Sequence, residues 1–188
     1  SLLTYSVYSD HAVLITKSGM IQAIGDNTEC QISGSLPKRV LKDFTKFEIK
    51  DDSSVAWVPI SVVCGYSYTL YLVAHPDNGN KMQLAYSYKG SNSQFPIFLN
   101  LKKRIPLSLF GGYSNAAAID TTGAILFVPE STSSYSDSPI EATQLPDDEK
   151  AISVACCDDF ILALSSSGRV YRFDTSGTSD LTSIEDIT

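Results

Sequence analysis

Histidine, tryptophan and cysteine are scarce here: two His, one Trp and four Cys in 188 residues. His11 and His75 have no carboxylate or Cys at metal-ligating spacing, so no zinc centre is expected. Cys30, Cys64, Cys156 and Cys157 form no spaced disulfide framework and no C-x-x-C pair. They read as reduced, small fillers of crowded strand positions. G-x-S-x-G, P-loop, H-E-x-x-H and calcium-loop patterns are all missing, so neither a cofactor nor covalent catalysis is expected. Without a sequon, a leader pattern or an apolar run of 18 residues, the sequence reads as intracellular and not membrane-bound.

Positive charge is also in short supply. The net charge is −7, and residues 130–188 hold 3 Lys/Arg against 12 Asp/Glu, whereas residues 1–129 hold 11 against 9. Phosphate binding needs clustered cations, so an acidic C-terminal half disfavours nucleic acid. It suits solubility, or a basic protein partner steered by the field. Lys102-Lys103-Arg104 is the compact basic cluster, expected to protect a strand edge.

What the chain does have is a unit written four times. One copy runs Gly112-Tyr113-Ser114-Asn115, then an apolar stretch, then Asp120-Thr121-Thr122-Gly123 and a second apolar stretch. Copies open at positions 8, 65, 112 and 157, and Gly19, Gly123 and Gly168 each fall eleven residues after their opening. Strand, Gly turn, strand at a period near 45 predicts an all-β chain of four consecutive propeller blades. The expected units are 1–50, 51–101, 102–147 and 148–188 of a single propeller segment.

The first copy carries His11, Gly19, Gly25, Asn27 and Gln31, which follow H-x-x-x-L-x-x-x-G and G-x-N-x-x-G-Q-L-G. It thereby resembles the repeat of the regulator of chromosome condensation family, whose propellers have seven blades. Tyr8 replaces the first Gly of that pattern, Ile24 its Trp and Cys30 the Gly before Gln31. Gly65 and Gly112 keep the opening Gly, while Tyr68, Asn115 and Phe160 replace the His. The resemblance implies that these residues shape blades, with His11 hydrogen-bonded at a blade junction.

Four blades leave apolar ends, so the rest of the ring or a second chain is expected to complete it, with Leu2, Leu3 and Val7 at one end and Ile161, Leu162 and Val170 towards the other. Candidate partner contacts are Tyr66 and Tyr113, which follow opening glycines, and the acids Asp147, Asp148, Glu149, Asp158 and Asp159. Ala74–Gly79 reads as a stretched turn, and His75–Lys81 and Glu130–Lys150 are the candidate insertions for a protein wedge. Glu130–Lys150 reads as an exposed, mobile loop. The leading function is a non-catalytic protein-interaction scaffold. The alternative implied by the resemblance is guanine-nucleotide exchange on a Ran-like small GTPase, by a protein wedge. Chromatin binding is a further alternative, disfavoured by charge.

Overall fold

The structure, a computed structural model, describes residues 2–91, 93–129, 139–175 and the backbone of 184–186. Strands β1 (Leu2–Tyr8), β2 (His11–Thr16), β3 (Ile21–Asp26) and β4 (Val40–Phe47) make the first antiparallel sheet in sequence order. The second sheet runs β5 (Ile49–Lys50), β6 (Ala56–Cys64), β7 (Tyr68–His75), β8 (Asn78–Tyr88) and β9 (Ile97–Phe98). The third is β10 (Pro106–Gly111), β11 (Asn115–Asp120), β12 (Ile125–Pro129) and β13 (Ala142–Thr143). The fourth is β14 (Ala151–Cys156), β15 (Phe160–Ser165), β16 (Val170–Asp174) and β17 (Ile184–Asp186). Each sheet is one propeller blade. Strands β1, β6, β10 and β14 touch one another in turn and so form the innermost row.

Alternation along the strands builds three cores, one in each gap between blades. Val13, Ile15, Ile21 and Ala23 of blade one meet Val62, Tyr71, Val73 and Ala85 of blade two. The opposite face of blade two, with Leu70, Leu72, Leu84 and Tyr86, packs on Ala116, Ala118, Leu126 and Val128. The other face of blade three, with Ala117, Ile119, Ile125 and Phe127, packs on Val154, Ile161, Ala163, Tyr171 and Phe173. Strands β7 and β11 are therefore apolar on both faces. Strand β11 puts Ala116, Ala117 and Ala118 into the two gaps, where larger side chains of blades two and four pack.

The outward flanks differ. On blade one, Tyr5 and Val7 are 65% and 62% exposed, and Phe44 is 51% exposed. On blade four Leu162 and Val170 are half-buried, while Ile161 is fully buried against blade three. Ile161 thus leaves the expected end patch. Its odd register in β15 turns it inward, where Leu162 points out.

Each innermost strand carries a bulge at the same place: register slips between Leu2 and Thr4, Pro59 and Ser61, Pro106 and Ser108, and Ala151 and Ser153. Pro59 is tolerated inside β6 because the ladder is interrupted there. Segment 37–50 supplies the outer strand β4 and then β5, which opens the second sheet. Segment 95–101 holds the two-residue β9.

The turns after β2, β11 and β15 share one chemistry. Thr16, Asp120 and Ser165 each accept a hydrogen bond from the backbone N–H four residues on, and Gly19, Gly123 and Gly168 sit at φ 77°, 84° and 91°. Side chains rarely adopt that backbone region, so Gly is required. In blade two His75 takes the acceptor place, its Nδ1 receiving Asp77 N–H at 3.2 Å. Its turn is not a stretched loop. Pro76-Asp77 closes a tight hairpin, and the extra length of 79–81 enters β8 as an irregularity between the His75–Asn78 and Ala74–Met82 pairs.

Of the expected mobile loop, residues 130–138 lie outside the described residues. The remainder is anchored on the blades, although Glu141, Gln144, Asp147, Asp148 and Lys150 are exposed. Ile140 and Leu145 are buried, β13 pairs with β12, and Pro146–Asp148 forms one 3-10 turn. Two apolar anchors outweigh the Ser and acidic content of this stretch.

Candidate protein-interaction face

Antiparallel blades have two ends, and each collects its own loops. The first end holds the turn between the first two long strands of every blade, and all four opening positions lie there. His11 begins β2 at this end, 3% exposed. Its Nε2 lies 3.0 Å from Thr69 Oγ1 of blade two. Thr69 donates its own proton to the Gln31 carbonyl at 2.8 Å, so His11 Nε2 is the donor. Burial holds the His11 pKa below its ordinary value of 6.5, with Asp10 opposing.

Tyr68 stands in the equivalent place of blade two and donates its hydroxyl to the carbonyls of Asn115 (2.6 Å) and Gly112 (3.0 Å) of blade three. Asn115 in turn donates Nδ2 to the Cys157 carbonyl of blade four at 2.6 Å. The His position is thus kept as a job while its residue type changes. Phe160, in the fourth blade, packs under the Arg172 guanidinium at 4.6 Å instead.

Asn27 organises the long connection of blade one. Fully buried, it donates to the Ser33 and Pro37 carbonyls and accepts from the N–H groups of Ile32 and Ser33. The connection presents the Gln31 and Ile32 carbonyls to Thr69 and Tyr71 of blade two. Gly25 at φ 101° and Gly34 both abut other backbone: a Cβ would fall 2.1 Å from the Asp10 carbonyl oxygen and 1.8 Å from that of Ser93. Gly112 similarly leaves room for Cys156 of blade four. These are structural positions.

The partner-contact candidates divide between the ends. Tyr66 and Tyr113 meet at the first end, rings stacked at 4.9 Å and 13°, with Tyr66 N–H donating to the Tyr113 carbonyl at 2.9 Å. Tyr8 meets Tyr113 edge-on at 6.0 Å. Tyr66 and Tyr113 remain 42% and 43% exposed. Asp158 and Asp159 are exposed in the bend between β14 and β15 at this same end, as is Asp10 in the corresponding bend of blade one. The Asn115 amide also lies 3.4 Å from the Asp158 carbonyl, so the acidic bend is tied to the blade that carries Tyr113.

Asp147, Asp148 and Glu149 belong to the other end. Glu149 accepts from Ser167 at 2.8 Å and pairs with Arg169 at 3.3 Å, and Asp147 also reaches Arg169. Asp147 and Glu149 tie the segment before β14 to the turn between β15 and β16, and none of the three acids joins the tyrosines. The two acidic groups flank β14 and so emerge at its opposite ends. Asp10 holds in the first copy the place that Asp159 holds in the fourth, whereas Tyr8 is itself the opening residue and reaches Tyr113 only through the fold.

Cys64 and Cys156 have thiols pushed up to about 12 by burial, and all four cysteines are free. Among the described residues no cluster of His, Cys, Asp and Glu could hold a metal, and no helix is long and apolar enough to cross a membrane.

No protein-family model and no curated protein sequence matches the chain. Solved structures do. Human WBSCR16 matches at 14% identity and TM-score 0.68, over 100% of this chain and 53% of its own. Prp20p from Saccharomyces cerevisiae, described with its binding properties to Gsp1p and histones, matches at 15% and 0.65 over 99% and 49%. The yeast RCC1 (Prp20) bound to Kap60 matches at 14% and 0.63 over 96% and 45%. The chain spans about half the length of these structures. At such identity the likeness is one of fold, and that fold is the β-propeller of the regulator of chromosome condensation type, with four of its blades in this chain.

Proposed function

We propose that this chain is a propeller section that binds a protein through the end bearing Tyr66 and Tyr113. The observation that carries this reading is the exposed stacked pair, joined by Tyr8 and bordered by Asp10, Asp158 and Asp159. Aromatic anchors held rigid by their neighbours lose little entropy on binding and are enriched among residues that dominate interfaces. Their acidic border selects a basic partner surface and speeds its approach. Further blades, from the rest of a longer polypeptide or from a second chain, cover the outward flanks of blades one and four.

The second reading is nucleotide exchange on a Ran-like small GTPase, supported by the Prp20p likeness and by the absence of any need for covalent chemistry in exchange. Both readings are tested with purified core histones and a panel of purified small GTPases. Binding is measured by interferometry, and release of a fluorescent guanine nucleotide is measured alongside. Replacing Tyr66 and Tyr113 together by Ala should weaken binding by about tenfold or more. Binding unchanged in that variant would remove the function from this face. Accelerated nucleotide release would promote the second reading.

A further inference from the structure

The opposite end of the molecule carries a groove that the tyrosine face does not explain. It lies between the second and third blades, holds about 350 Å³ and is floored by Trp57, Met82 and Ile105. Trp57 is held on several sides. Its indole N–H donates to Asp51 Oδ2 at 3.0 Å, and the rings of His75 and Phe98 pack on it at 5.1 Å each. Ile105 is 37% exposed on the same surface.

Three cations rim this floor. Lys81 comes from β8 and sits over the Trp57 ring, 5.3 Å from its centroid. Lys103 and Arg104 come from the turn leading into β10. That turn is built: Arg104 N–H donates to the Leu101 carbonyl, Asn100 Oδ1 accepts from Lys102 N–H, and Lys102 and Lys103 both stand at positive φ. Lys102 is engaged by Glu141 and Arg104 by Asp120. Lys81 and Lys103 have no carboxylate at ion-pair distance among the described residues. Asp77, exposed in the hairpin between β7 and β8, is the acid next to this site in sequence and stays outside the lining.

We propose that this groove binds an acidic peptide segment, with an apolar side chain against Ile105 and Met82 beside Trp57 and a neighbouring carboxylate between Lys81 and Lys103. Two unpaired cations in a chain of net charge −7 are the complement of a carboxylate. A nucleic-acid strand would need a longer cationic track and open stacking faces. Here the aromatic floor is 7% exposed and one of its faces is taken by Lys81.

Trp57 is the single tryptophan, so its emission reports on this groove alone. The full chain is titrated with a blocked peptide alternating Leu and Glu, with the same peptide carrying Gln for Glu, and with a thymidine oligonucleotide. The Glu peptide should shift the emission saturably, and raised salt should weaken it. Lys103→Gln and Lys81→Gln should each weaken it about fivefold, the size of one partly screened charge pair. Circular dichroism of both variants, expected to match the parent, separates lost binding from lost folding. Equal affinity for the Gln peptide, no saturation, or affinity unchanged in both folded variants would overturn the proposal. Tighter binding of the oligonucleotide would overturn it in favour of a polyanion site.

Discussion

The Tyr68 hydroxyl donates to the main-chain carbonyl of Asn115, 2.6 Å away, although both residues hold the same position in successive repeat units. Asn115 repeats the gesture towards blade four. The inter-blade bridge is therefore relayed along the arc by three residue types, imidazole, phenol and amide. Each has a donor at a reach that suits its own gap.

Tyr68→Phe tests the relay. The ring stays buried while two backbone carbonyls lose their shared donor. The expected cost is about 1–2 kcal/mol, seen as a lower urea midpoint with an unchanged slope. An unmoved midpoint would mean that the bridge carries no stability.

Gly123 stands at φ 84°, and a Cβ there would meet Lys150 Cβ at 2.5 Å. Gly123→Val should cost on the order of 1–3 kcal/mol through backbone strain, with the contact adding to it. Gly168 shares the φ but has open space around it. Gly168→Val should therefore cost less, and thermal melts of the two variants give the comparison.

Acid should destabilise the protein in two windows. His11 has a lowered folded pKa through burial, so the unfolded chain binds more protons below 6.5. Its contribution is complete above that pH and is lost as pH falls towards the folded value. Asp120 is pushed up by burial, but hydrogen bonds from Thr122, Arg104 and the Ala124 amide outweigh this and leave it below 3.8. Its contribution is lost at still lower pH. His11→Gln should flatten stability against pH just below 6.5 while leaving the lower window, as followed by urea melts across pH.

The outward flanks should make the isolated chain self-associate or bind an apolar dye. Burying side chains such as Tyr5, Val7 and Phe44 would gain roughly 1.5–3 kcal/mol each. Sedimentation at low micromolar concentration is the measurement. A soluble 20.4 kDa monomer that binds no dye would show the flanks to be self-sufficient.

The turns and the strand alternation were legible in the sequence because they are local. Gly at positive φ, an oxygen-bearing side chain three residues before it, and apolar residues at period two all act within a dozen residues. That was enough for a blade count and for the opening positions, with Tyr66 and Tyr113 one residue after two of them. What each blade touches was not legible. Ile161 faces inward and Leu162 outward because of register. Asp147–Glu149 and Asp158–Asp159 part company because β14 runs between them. The loss of His at positions 68, 115 and 160 looked like decay of the repeat. Only the tertiary structure shows Tyr68 and Asn115 doing the same work, since their partners lie over 40 residues away and a hydrogen bond is decided by distance in space.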